Sequence, residues 1–150
     1  MRLVLFEPEI PQNTGTLVRL CQCFNVPLGI IEPVSFLLSD KRFKRAGMDY
    51  IDLSKIQIYK NFEQLKIENP YSRIILADTK ATTKYFDVKY IPTDIILMGR
   101  ESTGVPDYIY NECNVTVKIP MIEGVRSLNM AVSASIVVSE AMRQSGYRLN

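Results

Sequence analysis

The chain has 150 residues, 47% of them hydrophobic and 23% charged, with a formal net charge of +2. That size and balance suit one soluble globular domain, and a charge so small does not by itself point to nucleic acid. There is no histidine, which excludes Ser-His-Asp and Cys-His catalysis and leaves a carboxylate, Lys, Tyr, Arg or a group on a substrate to accept any proton.

The elements alternate. Leu3 to Phe6 reads as a strand apolar on both faces, as in a parallel sheet covered by helices. Pro8 and Pro11 hold the next loop extended, and Asn13 or Thr14 is expected to cap a helix running to about Phe24. Leu28 to Ile31 is a second buried strand. Asp40 and Gly47 bound a short helix, and Ile56 to Tyr59 is a third strand. Asn61-x-x-Gln64 resembles a capping box for a helix to about Ile67. Arg73 to Ala77 is a strand, and 78–93 has no firm period. Asp94 to Met98, a short helix over Pro106 to Asn111, the strand Val115 to Ile119 and a long helix from Leu128 to Ser145 complete the chain. Strands alternating with helices predict an α/β fold with a mostly parallel sheet. The chain shows no linker or repeat. The apolar runs are too short to span a membrane, and Met1-Arg2 enters the first strand without a cleavage-site pattern, so the expected compartment is the cytoplasm.

Three cysteines, Cys21, Cys23 and Cys113, do not make a disulfide framework. Without histidine a zinc site lacks its usual ligands, so no metal is expected. The last helix carries small residues (Ala131, Ala134, Ser135, Ser139, Ala141) and apolar ones on nearly every face. That pattern favours a homodimer interface over a purely internal helix.

Three loops interrupt these elements in ways that suit a ligand. Gly99-Arg100-Glu101-Ser102-Thr103-Gly104 follows a buried strand; it has the glycine spacing of a P-loop but lacks the Lys-Ser/Thr that a nucleotide triphosphate needs. Gly99 is expected to let backbone approach a ligand closely. Ile119-Pro120-Met121 through Gly124 to Ser127-Leu128-Asn129 ends another strand, with Ser127 placed to cap the last helix. Ile10-Pro11-Gln12-Asn13-Thr14-Gly15 continues to Arg19 and Cys21. Each loop alone is a weak signal and reads first as an ordinary connection between strand and helix.

Together they resemble the three signature motifs of the knotted SPOUT class of RNA methyltransferases, most closely the small tRNA 2'-O-methyltransferases that act on the wobble nucleotide. The likeness extends from Leu3 to Tyr147, with further matches at Ile31-Glu32-Pro33 and from Asp40-Lys41-Arg42 to Tyr50. It implies a C-terminal trefoil knot, which general chain topology would not suggest, an obligate homodimer, S-adenosylmethionine as methyl donor and tRNA as substrate. On the family's pattern Ala77, Met98, Gly99, Glu101, Gly104, Ile119, Met121, Ser127, Leu128 and Ala131 surround the cofactor, largely through main chain. Asn13, Arg19 and Asn129 are the implied catalytic group. Free arginine titrates at about 12.5–13.8, so Arg19 is expected to anchor a phosphate or a developing alkoxide rather than act as a base. Ser139 stands where close relatives carry tyrosine. Lys41, Arg42, Lys44 and Arg45, the densest positive run, become candidate RNA contacts. Rival readings are an RNA-binding protein of the same fold without turnover and an enzyme acting on a small metabolite.

Overall fold

The computed structural model describes residues 1–34, 36 and 55–146. Seven strands, β1 (Arg2–Phe6), β2 (Leu28–Ile31), β3 (Gln57–Tyr59), β4 (Ile74–Ala77), β5 (Thr83–Lys84), β6 (Ile95–Met98) and β7 (Val115–Lys118), form one sheet in the order β3-β2-β1-β6-β4-β7-β5. Every pairing is parallel. Among the described residues four helices accompany it: α1 (Pro11–Cys23), α2 (Phe62–Glu68), α3 (Asp107–Glu112) and α4 (Met130–Ser145).

Strand alternation sorts the core onto two faces. Leu3 and Leu5 of β1 point towards α1 and α4, joining Leu17, Cys21, Ala134 and Val137. Val4 and Phe6 point the other way, joining Phe62 and Leu65 of α2 and Ile109 of α3. Burial on both faces is why the inner strands read as unbroken apolar runs. The two neighbouring thiols of α1 part as helical geometry requires: Cys21 is buried and its thiol is pushed up to about 12, whereas Cys23 is exposed. Among the described residues no helix is long and apolar enough to cross a membrane.

Several expected boundaries move, each for a local reason. The capping box forms: the Asn61 side chain accepts the Gln64 N–H at 2.9 Å, and Gln64 Oε1 accepts the Lys60 N–H at 2.7 Å. Residues 78–93 are not structureless, since β5 and a 3-10 turn at Tyr85–Asp87 lie within them. A two-residue strand is too short to carry a period. Neither Asn13 nor Thr14 caps α1; the helix starts at Pro11 and both residues are buried inside it. Ser127 does not cap α4, which starts at Met130 behind Asn129. The expected short helix between Asp40 and Gly47, and the basic residues Lys41, Arg42, Lys44 and Arg45, lie outside the described residues.

At the amino-terminal edge of the sheet Asp94 is fully buried. Its carboxylate receives Arg73 Nε at 2.9 Å, Arg73 Nη2 at 2.8 Å and the Ile91 N–H at 2.8 Å. Replacing Asp94 by Ala strands a half-buried guanidinium and a backbone N–H, and should lower stability by about 3 kcal/mol in urea unfolding. Cofactor affinity in the same variant should stay at the wild-type value, because the candidate site lies at the opposite edge.

Candidate active site

The loop after β6 is shaped before any ligand arrives. A Cβ at Gly99 would stand 2.6 Å from the carbonyl carbon of Gly104. Arg100 and Gly104 exchange both backbone hydrogen bonds, at 2.9 and 3.0 Å, and Gly104 holds φ at +71°. Glycine is therefore needed at 99 to close the loop on itself. That requirement stands beside the close approach of a ligand expected from the sequence.

Three side-chain clamps tie this loop to the segment between β1 and α1. The Arg100 guanidinium lies 5.3 Å over the Phe6 ring and donates to the Glu7 carboxylate through Nη2 and, at 2.9 Å, through Nε. Glu9 accepts the Ser102 hydroxyl at 2.8 Å and the Ser102 N–H at 2.9 Å. Those two donors, the hydroxyl first, hold the Glu9 carboxyl below its ordinary range. A depressed carboxylate stabilises above its unfolded pKa and ceases to as pH falls through the lowered native value, so this clamp opens only in acid. The third clamp is Glu101. It accepts the Glu9 N–H at 2.8 Å, the Ile10 N–H at 3.2 Å and Asn13 Nδ2 at 3.1 Å. The N-cap residue Ile10 has no side-chain acceptor of its own. A carboxylate from the loop after the neighbouring strand thus satisfies the Glu9 and Ile10 N–H groups just ahead of α1, where the helix dipole favours negative charge.

From Glu101 the hydrogen bonds continue to the third motif. Asn13 Oδ1 accepts Asn129 Nδ2 at 2.8 Å. Asn129 Oδ1 accepts the N–H groups of Ala131 at 2.8 Å and Val132 at 3.3 Å, capping α4. An ionised carboxylate only accepts, and the backbone of α4 only donates here, so both asparagine amides have their orientation fixed from each end. Asn13 is 7% exposed, where an unpaired amide would be costly.

The three motifs converge on one cleft of about 660 Å³ at the carboxyl ends of β1, β6, β4 and β7. Open α/β sheets bind ligands at this edge, and the volume suits a nucleoside-sized molecule. Asn13, Ala77, Met98, Gly99, Glu101 and Gly104 line it, as do Ile119, Met121, Ser127, Leu128 and Asn129. Met98, Ile119, Met121 and Leu128 supply apolar surface for a ring, and the turns at 99–104 and 119–129 supply backbone polar groups. This donor set fits an adenosyl group. Two expected site residues lie elsewhere. Ala131 is buried within α4 and outside the lining. Arg19 is exposed on α1, six residues beyond Asn13, and also outside the lining. The cleft adds Asp78, Thr79, Lys80 and Arg126, which the sequence reading did not single out. The signal for the first three was their place just after a buried strand.

A parallel sheet with glycine-bearing loops gathered at its carboxyl edge defines a ligand-binding α/β domain. The chain belongs to the SpoU rRNA methylase family, whose model matches residues 1–139. It is 47% identical over 147 residues to a tRNA (cytidine(34)-2'-O)-methyltransferase of Beijerinckia indica, with 96% of this chain and 91% of that protein covered. A solved structure concerned with 2-OH methylation of C/U34 on tRNA superposes with a TM-score of 0.88 at 35% identity, covering 95% of this chain and 94% of that one. The SpoU methyltransferase AviRb from Streptomyces viridochromogenes, solved with the cofactor AdoMet, shares the fold at 20% identity and a TM-score of 0.81, over 96% of this chain and 57% of that one.

Two outcomes follow from the loop geometry. Gly99→Ala should push the 99–104 loop open, weakening cofactor binding by ~10-fold or more in calorimetry. Glu101→Gln should be nearly as damaging as Glu101→Ala, because its amide NH₂ must face N–H donors; each variant should lose about 1–2 kcal/mol in urea unfolding.

Proposed function

We propose that this chain uses S-adenosylmethionine to methylate the ribose 2'-hydroxyl of the wobble nucleotide, cytidine or uridine 34, of tRNA, as a cytoplasmic homodimer. The observation that carries the reading is the convergence of all three motifs on one cleft, joined by the Glu101–Asn13–Asn129 hydrogen bonds. Family membership and the names of its full-length relatives support the same substrate. A last segment threaded through a loop, as the resemblance implies, belongs to this reading, and so does a single domain over the whole chain.

The bound cofactor supplies an electrophilic methyl group on a sulfonium. The residues of this chain do the rest. Backbone of the 99–104 and 119–129 turns holds the adenosyl moiety against Met98, Ile119, Met121 and Leu128. Asn13 and Asn129 lock the turns in register rather than touching the reacting atoms, since both amides are committed to each other, to Glu101 and to α4. The acceptor hydroxyl must lose its proton, and Arg19 is the residue we assign to the developing oxyanion and the adjacent phosphate.

Arg19 lies about 9 Å along the α1 axis from Asn13, is exposed, and stands outside the cleft of its own chain. We therefore assign it to the cleft of the partner subunit. Val132, 48% exposed, leads a stripe on α4 with Ser135, Ile136 and Ser139, and α1 packs beside that helix. This face is the one we assign to the dimer.

The reading is tested by methyl transfer to total tRNA followed by nucleoside mass spectrometry, which should find a 2'-O-methylated nucleotide at position 34. Arg19→Ala should slow single-turnover transfer by ~100-fold or more while cofactor affinity stays near wild type. Lysine at this position should restore only part, lacking the planar fork. Mixing Arg19→Ala with a Gly99→Val subunit should restore transfer, because one heterodimer cleft then has both an intact loop and an intact Arg19. Failure of this mixture to transfer would place Arg19 in its own chain's cleft.

A further inference from the structure

Four cations stand at or beside the cleft without a carboxylate partner among the described residues. Lys80 and Arg126 line it. Lys84 of β5 and Lys118 of β7 are direct partners in the parallel register. Their side chains leave the same face of the sheet, from backbones about 4.8 Å apart. Like charges facing each other in a sheet are destabilising, and four cations elsewhere in the described residues are matched: Lys66 with Glu63 and Glu112, Arg73 with Asp94, Arg100 with Glu7, Arg143 with Glu140. Asp78, the acid nearest Lys80 in sequence, accepts the backbone N–H of Lys80 and pairs with no cation among the described residues. Lys84 instead lies 5.7 Å over the Phe86 ring. A lysine on an edge strand can simply discourage strand pairing, and β5 is an edge. That accounts for Lys84 alone. Lys118 lies on β7, which has a neighbour on each side.

We propose that Lys84 and Lys118, continued at the cleft by Lys80 and Arg126, form a track for the phosphates of the RNA strand that delivers the target nucleotide. The proposal rests on the RNA substrate inferred above. Successive phosphates are a ligand that relieves the repulsion between two facing lysines, and the cleft turns at 78–80 and 119–129 carry the same track to the reacting ribose.

The test compares wild type, Lys84→Gln/Lys118→Gln and Lys118→Gln as full-length proteins. Affinity for substrate tRNA is measured between about 50 and 200 mM salt, with cofactor affinity measured separately. The double variant should bind tRNA ~10-fold or more weakly at low salt, and its plot of log affinity against log salt should be shallower by about 1.4, two single-strand phosphates at ~0.7 each. Lys118→Gln should give about half that change. Cofactor affinity and melting temperature should not fall, and Lys84→Arg/Lys118→Arg should keep the wild-type slope. Wild-type protein that methylates tRNA beside a double variant with unchanged slope and affinity overturns the track alone. Wild-type protein that neither binds nor methylates tRNA overturns the RNA reading beneath it.

Discussion

The Glu101 carboxylate is the contact on which the site depends. It comes from the loop after β6, accepts the two backbone N–H groups just ahead of α1, and sets the orientation of Asn13. Asn13 in turn orients Asn129, which starts α4. One ionised group therefore defines the relative positions of a loop and two helices that share no sequence proximity. The Arg100–Glu7 and Glu9–Ser102 contacts run beside it between the same two segments. Such a set of charge-assisted bonds favours a preorganised cleft over one that must order itself around a ligand.

The sheet supplies the platform. Because its strands are all parallel, every loop that follows a strand emerges at the same edge, and the motif residues meet there however far apart they lie in the chain. The amino-terminal edge is closed by Asp94 and Arg73 instead, and carries stability rather than ligand contacts. The division explains why glycine and small residues gather at one end of the strands. Backbone has to turn tightly there, and side chains have to leave room.

The inner strands and the α/β class were legible because burial on both faces writes long apolar runs. The Asn61–Gln64 cap was legible because donor and acceptor are three residues apart. The start of α1 was not, since its acceptor lies 92 residues from Glu9. Asparagine often caps a helix, but Asn13 faces inward and pairs with Glu101 and Asn129 instead. β5 escaped because two residues carry no period. The three motif loops were recognisable as a family pattern, and most of their residues do line one cleft. The same pattern places Arg19 with them, and on α1 it is exposed and outside the lining of the cleft. Lys80 and Arg126 carry no signal in the sequence, since an isolated cation in a turn is ordinary until the fold shows what it stands beside.

The Asn13–Asn129 bond spans 116 residues of chain. During synthesis the first two motifs emerge long before the third. A nascent chain that has reached residue 110 has the strands β1, β4 and β6 and the Glu101 clamp available, yet its cleft lacks one wall and Asn13 has an unanswered carbonyl. The final wall and the helix behind it arrive together, because the same asparagine closes the cleft and nucleates α4. Ligand binding thus becomes a sensor of completed folding: a chain truncated or stalled before Asn129 lacks both the last wall of the cleft and the α4 side chains, Ala134, Val137 and Val138 among them, that complete one face of the core.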